Sequence, residues 1–249
     1  MSDRNSAAGQ LIFLHIPKTA GTAVEEYVAS SPNYADFAAY IHSGDGSGIG
    51  IQQFYKDNMD KPFIFGHFPY CDLPVTRPES IYFTFLRDPI ERCISQYHSW
   101  QRAGEQSDAH LENASSELLE TLEFTKHSDA EDWFLSERKD IVDVLSDVQT
   151  NFLGNRASDM EARLASAKSN LLSLDFFGLR EAFSESVSKL RSLVPGLPRY
   201  GVPWVKENRT PTSTRISRQE LSSITIERLN ELNRHDLSLY RFALEHFYE

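Results

Sequence analysis

Short apolar runs alternate with helical patterns along this chain. Each run spans four to six mostly apolar residues and stops at a glycine or a polar residue, which is typical of buried strands. Between the runs, apolar residues recur at the spacing of one helix face. The pattern predicts four strands, at Leu11–Leu14, Phe63–Gly66, Ile81–Leu86 and Leu174–Leu179.

Helices are predicted after most of these strands. The third strand is followed by Asp88 and Pro89, which suit the N-cap and the first position of a helix. Glycine-rich residues 43–50 are expected to be a flexible connector. Helical character is found at Ala23–Val28, Gln52–Asp57, Ile90–Trp100, Glu181–Leu193 and from Arg218 to the C-terminus.

Residues 104–170 have no strand pattern and predict a helical insertion. Residues 1–10 are small and polar and are expected to be a disordered lead-in, which leaves residues 11–249 as a single domain. The helices predicted within the insertion lie at about 114–126, 129–136, 139–148 and 159–172.

This alternation predicts the α/β class, with a mainly parallel central sheet flanked by helices on both faces. In such sheets, ligands bind where the strands end at their carboxyl side. The residues that follow each strand are therefore the first place to look for chemistry.

Composition narrows the possible functions. The chain has 249 residues, 40% of them hydrophobic, which is ordinary for a globular protein. A net charge of −11 argues against non-specific nucleic-acid binding and, more weakly, against a heavily sulfated polyanion as substrate. A local basic pocket remains compatible with it. Cys71 and Cys93 form no metal or CxxC pattern and are expected to be isolated thiols.

The first strand leads into a candidate anion site. The segment from His15 to Thr22 reads His-Ile-Pro-Lys-Thr-Ala-Gly-Thr and runs into the first helix. Free N–H groups and the helix dipole at such a turn favour an anion, and Gly21 is expected to let a phosphate approach the backbone. Lys18 precedes the glycine, so the order is not that of the Walker motif, and an ATP γ-phosphate held with magnesium is not indicated.

This segment resembles the 5′-phosphosulfate loop of the sulfotransferases, in the branch that includes the heparan sulfate 2-O-sulfotransferases and bacterial relatives. The second half of that family's signature is R-D-P-x-x-R-x-x-S-x-Y after a strand. This chain has it from Arg87 to Tyr97, about seventy residues later and in the correct order. The resemblance implies a P-loop-like three-layer fold and the donor substrate 3′-phosphoadenosine 5′-phosphosulfate.

The resemblance also assigns roles to residues. Lys18 would neutralise the charge that grows on the leaving phosphate, and Arg87 and Ser95 would grip the donor's 3′-phosphate. For Arg92 a helix-face salt bridge and a ligand contact remain equally open. Donor-binding residues of the first loop would be Pro17, Lys18, Thr19, Ala20, Gly21, Thr22 and Ala23.

A histidine is the usual base for an acceptor hydroxyl. His67 matches the family's position at a strand end after glycine and is the preferred catalytic residue. His42 and His98 are rivals, and His15 is expected to orient the phosphate loop. Arg209, in a late polar loop over residues 206–214, fits loosely the segment that closes over the donor in the family.

Two other classes of function stay open: a P-loop small-molecule kinase, and a non-catalytic relative that only binds the nucleotide. The acceptor is expected to be a hydroxyl of a saccharide or small metabolite, contacted by the insertion. Residues 149–153 could line the acceptor cleft or simply pack. No acidic pair is committed to magnesium, so no metal is expected.

Location is a separate expectation. The sequence has no apolar run of membrane-spanning length and no signal-peptide core. Sulfotransferases of the secretory pathway carry a membrane anchor and usually disulfides, and this chain departs from them in both respects. We therefore expect a cytoplasmic, bacterial protein; the sequence does not indicate its oligomeric state.

Overall fold

The computed structural model describes residues 9–40, 50–73, 79–105, 115–199 and 216–249. They contain a five-stranded sheet in the order β2-β3-β1-β4-β5, in which every pairing is parallel. The strands are β1 (Leu11–Leu14), β2 (Phe37–Tyr40), β3 (Phe63–Gly66), β4 (Ile81–Leu86) and β5 (Phe176–Leu179). The predicted α/β class with a parallel sheet flanked by helices is confirmed.

The helices account for most of the remaining described residues, together with short 3-10 turns at Tyr70–Asp72 and Arg218–Glu220. The helices are α1 (Gly21–Ala29), α2 (Ile51–Asp57), α3 (Pro89–Glu105), α4 (Ser116–His127), α5 (Ala130–Leu135), α6 (Lys139–Leu145), α7 (Val148–Leu153), α8 (Met160–Ser173), α9 (Phe183–Leu193), α10 (Ser223–Leu232) and α11 (Arg234–Phe247).

Two elements were not predicted. Strand β2 has the sequence Phe-Ala-Ala-Tyr and buries only Ala38, because it lies at the edge of the sheet and pairs with β3 alone. Its alanines have little strand preference, so the pairing decides its conformation. The second is helix α7. The sequence predicted one helix over about 139–148 and no helix over 149–153, whereas α7 begins at Val148. Asp147, at φ 45°, breaks the chain between α6 and α7.

The sheet is buried on both faces, which explains why its strands are apolar throughout. Side chains such as Phe13 and Phe83 face one layer, formed by α1 and α9. Alternate side chains such as Ile12 and Leu14 face the other, which includes α2, α7, α8 and α11. The carboxyl ends of the strands therefore all lie at the same end of the sheet, between the two helical layers, and the candidate residues lie there.

The predicted insertion divides into two parts. Helices α5 and α6 build a separate core with α3 and α10, centred on the fully buried Trp133. Helices α7 and α8 instead cover the sheet. Residues 1–8 lie outside the described residues; Gln10, assigned to the lead-in from the sequence, is buried and donates to the main-chain oxygen of Lys61 at 2.8 Å. Among the described residues, no helix is long and apolar enough to cross a membrane.

Candidate active site

The loop between β1 and α1 holds its backbone in an uncommon conformation. Lys18 has a φ of 71° and Ala20 a φ of 88°, both in the left-handed region that side chains other than glycine rarely adopt. Strain of this kind, of about 1–3 kcal/mol per residue, is kept where the surrounding structure enforces it and is concentrated at functional sites.

The first turn of α1 presents backbone donors. Val24 N–H bonds to the Ala20 carbonyl, the first such bond of the helix, so the N–H groups of Gly21, Thr22 and Ala23 precede the helical ladder. No side chain caps this helix. These three amides, at the positive end of the helix dipole, suit an anionic group.

Thr19 departs from the expected set of donor-binding residues. It is fully buried, its hydroxyl donates to the Ile16 carbonyl at 2.8 Å, and its N–H faces the same oxygen at 3.4 Å. Thr19 therefore holds the turn together from inside, because its polar groups are directed towards Ile16 rather than outward.

Gly21 has a structural reason to be glycine that the sequence did not show. A Cβ atom at this position would lie 1.7 Å from Nε2 of His15. The space that glycine leaves open is filled by the His15 ring, so Gly21 allows this side chain to approach its Cα. The approach of a phosphate to the Gly21 backbone stays a prediction. The expectation that His15 orients the phosphate loop agrees with this contact.

Lys18 lies in a cationic environment. The pKa of its ammonium group falls from 10.5 to about 8, chiefly through burial and in smaller part through the guanidinium groups of Arg102, Arg87 and Arg92. Three arginines thus act on the charge of Lys18 in a protein of net charge −11. This local excess is what a multiply charged anion would neutralise.

Arg87 follows β4 and reaches the phosphate loop. Its Nη1 donates to the main-chain oxygen of Lys18 at 3.2 Å, and its Nη2 lies 3.7 Å from a carboxylate oxygen of Glu91. Asp88 accepts bonds of 3.0 Å from the N–H groups of Ile90 and Glu91, so its predicted role as N-cap is confirmed. The two motifs therefore meet in one place.

Arg92 and Ser95, the two further candidates on α3, differ in their burial and contacts. Arg92 is 1% exposed and donates to the carbonyls of Val144 and Leu145 at 2.7 and 3.3 Å. It closes the C-terminal end of α6 rather than forming a helix-face salt bridge. Arg92 also borders the pocket beside the loop, so the ligand contact stays a prediction. Ser95 is half-buried on α3, two turns beyond Arg87.

His67 lies directly after β3, as the sequence predicted. Its N–H donates to the Tyr40 carbonyl at 2.9 Å. Its ring meets the His15 ring edge to face, with centroids 4.6 Å apart, and His15 Nδ1 lies 2.8 Å from a carboxylate oxygen of Glu25. The candidate base is thus packed against the side chain that supports the phosphate loop.

A pocket of about 300 Å³ opens beside the loop. It is bordered by Pro17 of the loop, by α3 and by the α6–α7 part of the insertion, and its walls are mainly apolar. Asn151 and Phe152 line it, so the segment 149–153 contributes to a cavity next to Pro17 as well as to packing.

Comparison with known proteins agrees with this geometry. A family model described as "Sulfotransferase family" matches residues 6–243, nearly the whole chain. The chain belongs to the sulfotransferase family.

Curated relatives of this sulfotransferase include heparan-sulfate 6-O-sulfotransferases. Heparan-sulfate 6-O-sulfotransferase 1 is 23% identical in Gallus gallus and in Homo sapiens, over 94% and 95% of this chain. Heparan-sulfate 6-O-sulfotransferase 3-B of Danio rerio is 26% identical over 70% of the chain. The chain spans 64%, 65% and 44% of these relatives' lengths.

Several candidates lie outside the described residues of the sulfotransferase: His42, Arg209 with its loop over 206–214, and most of the glycine-rich connector. His98 is described and is buried, with Nε2 accepting from Ile216 N–H at 3.1 Å. That contact makes His98 a structural residue. The absence of a metal stays a prediction, although the described residues contain no group of three or more histidine, cysteine or acidic side chains suited to an ion.

The sequence did not single out three residues around the sulfotransferase site. Glu25 pairs with His15, and the charge of Arg102 lowers the pKa of Lys18. The Gln149 side chain forms hydrogen bonds with the backbone of Arg87. Glu25 and Arg102 are ordinary polar helix positions in the sequence. Gln149 belongs to the segment 149–153, which the sequence assigned to the acceptor cleft or to packing, but nothing in the sequence showed which residue it would contact.

Proposed function

We propose that this sulfotransferase transfers a sulfuryl group from 3′-phosphoadenosine 5′-phosphosulfate to an acceptor hydroxyl, with His67 as general base. The observation that carries the proposal is the hydrogen bond from Arg87 to the main-chain oxygen of Lys18. It joins two motifs that are 69 residues apart, and the donor carries two separate anionic groups that would need them.

The donor's 5′-phosphate would be held by the free amides at the start of α1 and by Lys18. Its 3′-phosphate would be held by Arg87, with Ser95 two helical turns further on. The cationic environment of Lys18 supports this division, because bound phosphates would relieve the repulsion between Lys18 and the three arginines. The site residues present therefore fit the donor.

In the proposed reaction, the acceptor oxygen attacks sulfur in line and a new oxygen–sulfur bond forms. The bond from sulfur to the bridging oxygen breaks, and its electron pair stays on the 5′-phosphate of the product, adenosine 3′,5′-bisphosphate. His67 takes the acceptor proton. Lys18 stabilises the negative charge that grows on the leaving phosphate, which requires no metal ion in principle.

The acceptor is proposed to be a saccharide or small metabolite. The names of the curated relatives support a saccharide. The pocket beside Pro17 and Phe152 is at the lower end of the size range of small-molecule sites, which favours a small acceptor or one end of a chain. Small saccharides and heparan sulfate, each offered with labelled donor, are the acceptors to compare.

A small-molecule kinase is the main rival, and thermal unfolding with nucleotides separates the two. Adenosine 3′,5′-bisphosphate should raise the Tm much more than ATP with magnesium, because only the former has a 3′-phosphate for Arg87. The opposite order would favour the kinase. Sulfation of a hydroxyl compound would then separate an enzyme from a protein that only binds the nucleotide. The expected cytoplasmic location stays a prediction, for fractionation of the source cells to test.

A further inference from the structure

The side chain of Gln149 holds the backbone of Arg87 at two points. Its Oε1 accepts from the Arg87 N–H and its Nε2 donates to the Arg87 carbonyl, both at 2.9 Å. Gln149 is 1% exposed, so these bonds are shielded from water. A buried amide that bonds to both main-chain groups of one residue restricts the backbone of that residue more than a single bond would.

These bonds lie just beyond the end of the sheet. The last bond in this part of the sheet runs from Arg180 N–H to the Leu86 carbonyl at 2.8 Å. Arg87 is the next residue, so a neighbouring strand no longer fixes its backbone there. Gln149 takes that place, at the point where the Arg87 side chain turns towards the phosphate loop.

Gln149 is itself anchored. Its N–H donates to Asp236 at 3.0 Å, and the same buried carboxylate accepts from Thr150 N–H at 2.7 Å. The reverse contact is also made: Asp147, just before α7, accepts hydrogen bonds from the N–H groups of His235 and Asp236 in α11 at 3.0 and 2.9 Å. Each aspartate therefore caps the other's helix, which fixes α7 to α11.

We propose that Gln149 is a positioning residue for recognition of the donor's 3′-phosphate, acting through Arg87. The proposal rests on the proposed function, because it takes Arg87 as the residue that binds this phosphate. A chain of contacts runs from Asp236 through Gln149 to Arg87 and on to the carbonyl of Lys18. Gln149 would thus set where the guanidinium stands relative to the phosphate loop.

A purely structural role predicts a different result from a positioning role. If Gln149 is only structural, its replacement should lower the stability of the protein and weaken the binding of all nucleotides to the same extent. If Gln149 positions Arg87, its replacement should weaken the binding only of ligands that carry the 3′-phosphate. The ratio of affinities for adenosine 3′,5′-bisphosphate and adenosine 5′-phosphate is therefore the informative measurement.

The experiment compares Gln149→Leu with Gln10→Leu by calorimetry with both nucleotides. Gln10 is a matched control, since it is a buried glutamine that donates to two main-chain oxygens at the opposite end of β1. We expect Gln149→Leu to lose about tenfold to a hundredfold in affinity for the bisphosphate, because small misplacements of a binding group have effects of this size. Its affinity for the monophosphate should stay within twofold of wild type, and Gln10→Leu should keep both affinities.

Three results would overturn this proposal. Equal losses for both nucleotides in Gln149→Leu would make the residue structural, and wild-type affinity for both nucleotides would remove its role. A wild-type protein that does not distinguish the nucleotides would instead refute the assignment of Arg87, and with it the proposed function. If Gln149→Leu does not fold, Gln149→Glu, which has the same shape and keeps only the acceptor for the Arg87 N–H, decides by the same ratio.

Discussion

His15 and His67 meet edge to face, with ring centroids 4.6 Å apart. His67 follows β3, and His15 follows the neighbouring strand β1, whose register pairs Leu14 with Gly66. Because the two strands are parallel, the residues after them come together at the same edge of the sheet. This contact connects the candidate base to the ring that fills the space above Gly21.

Replacing His67 should separate catalysis from donor binding. As the base, His67 acts on the acceptor proton and does not hold the donor. We expect His67→Ala to lower kcat by about a hundredfold to ten-thousandfold, the usual effect of losing a general base. Affinity for adenosine 3′,5′-bisphosphate, measured by calorimetry, should stay near that of wild type.

His127→Ala is the control for this variant, because His127 is an exposed residue of α4 whose only described partner is Glu123. It should keep full activity. Near-normal turnover in His67→Ala would mean that the base lies elsewhere, and His42 or a carboxylate from the insertion would be tested next.

Removing Arg87 should weaken donor binding through the 3′-phosphate. A charge-assisted contact to a phosphate is worth on the order of 2–3 kcal/mol, or about tenfold to a hundredfold in affinity. Calorimetry of Arg87→Ala with adenosine 3′,5′-bisphosphate measures this loss. Arg228→Ala, which removes an arginine paired with Glu137 at 2.9 Å, should bind normally. An unchanged affinity in Arg87→Ala would remove the assignment.

Turnover should not depend on a divalent metal ion. The proposed reaction uses Lys18 and backbone amides to meet the charge on the leaving phosphate, and a sulfuryl group carries less charge than a phosphoryl group. Assays with and without EDTA should therefore give the same rate. A large loss that magnesium restores would favour the kinase.

Two neighbouring substitutions in the phosphate loop should have opposite effects on stability. Ala20 has a φ of 88°, so Ala20→Gly relieves left-handed strain of about 1–2 kcal/mol, partly offset by the greater freedom of glycine in the unfolded chain. We expect a gain of about 0.5 kcal/mol in the free energy of unfolding, measured with urea. Gly21→Ala should destabilise the protein, because the new methyl group would collide with the His15 ring. A destabilised Ala20→Gly variant would show that the strain is not relieved by glycine.

The fold was largely predictable because buried parallel strands are apolar throughout and can be recognised in the sequence as continuous apolar runs. β1, β3 and β4 were predicted with their observed bounds, since each is a continuous apolar run. β2 was missed because an edge strand that buries one residue needs no such run. Its conformation follows from pairing with β3, which is a contact distant in sequence.

The site was predictable only where the residues form a local motif. Lys18, Arg87 and His67 follow strands at fixed spacing, so their positions could be deduced. Gln149 could not, because its contact with Arg87 spans 62 residues and depends on how α7 is anchored by Asp236. The bond from Arg92 to α6 could not be predicted either, because the sequence does not show that α6 ends against it.

Lys18 should destabilise the unliganded protein at neutral pH. Its pKa falls from 10.5 in the unfolded chain to about 8 in the folded protein, chiefly through burial. Below pH 8 the lysine is charged in both states, and the folded state bears the cost of the buried charge. Between pH 8 and 10.5 the unfolded chain binds more protons, so stability rises with pH, and above 10.5 the cost is gone.

Lys18→Met removes this charge while keeping a long side chain. We expect it to be more stable than wild type at pH 7, by on the order of 1–3 kcal/mol, with the difference shrinking as pH approaches 10.5. Urea denaturation of both proteins at pH 7 and pH 10 measures the difference. The same variant should lose turnover and bind adenosine 3′,5′-bisphosphate more weakly, because the charge that costs stability is the one that meets the leaving phosphate. A Lys18→Met protein that is no more stable than wild type at pH 7 would show that the ammonium is not desolvated, and the lysine would then act on the donor from a solvated position.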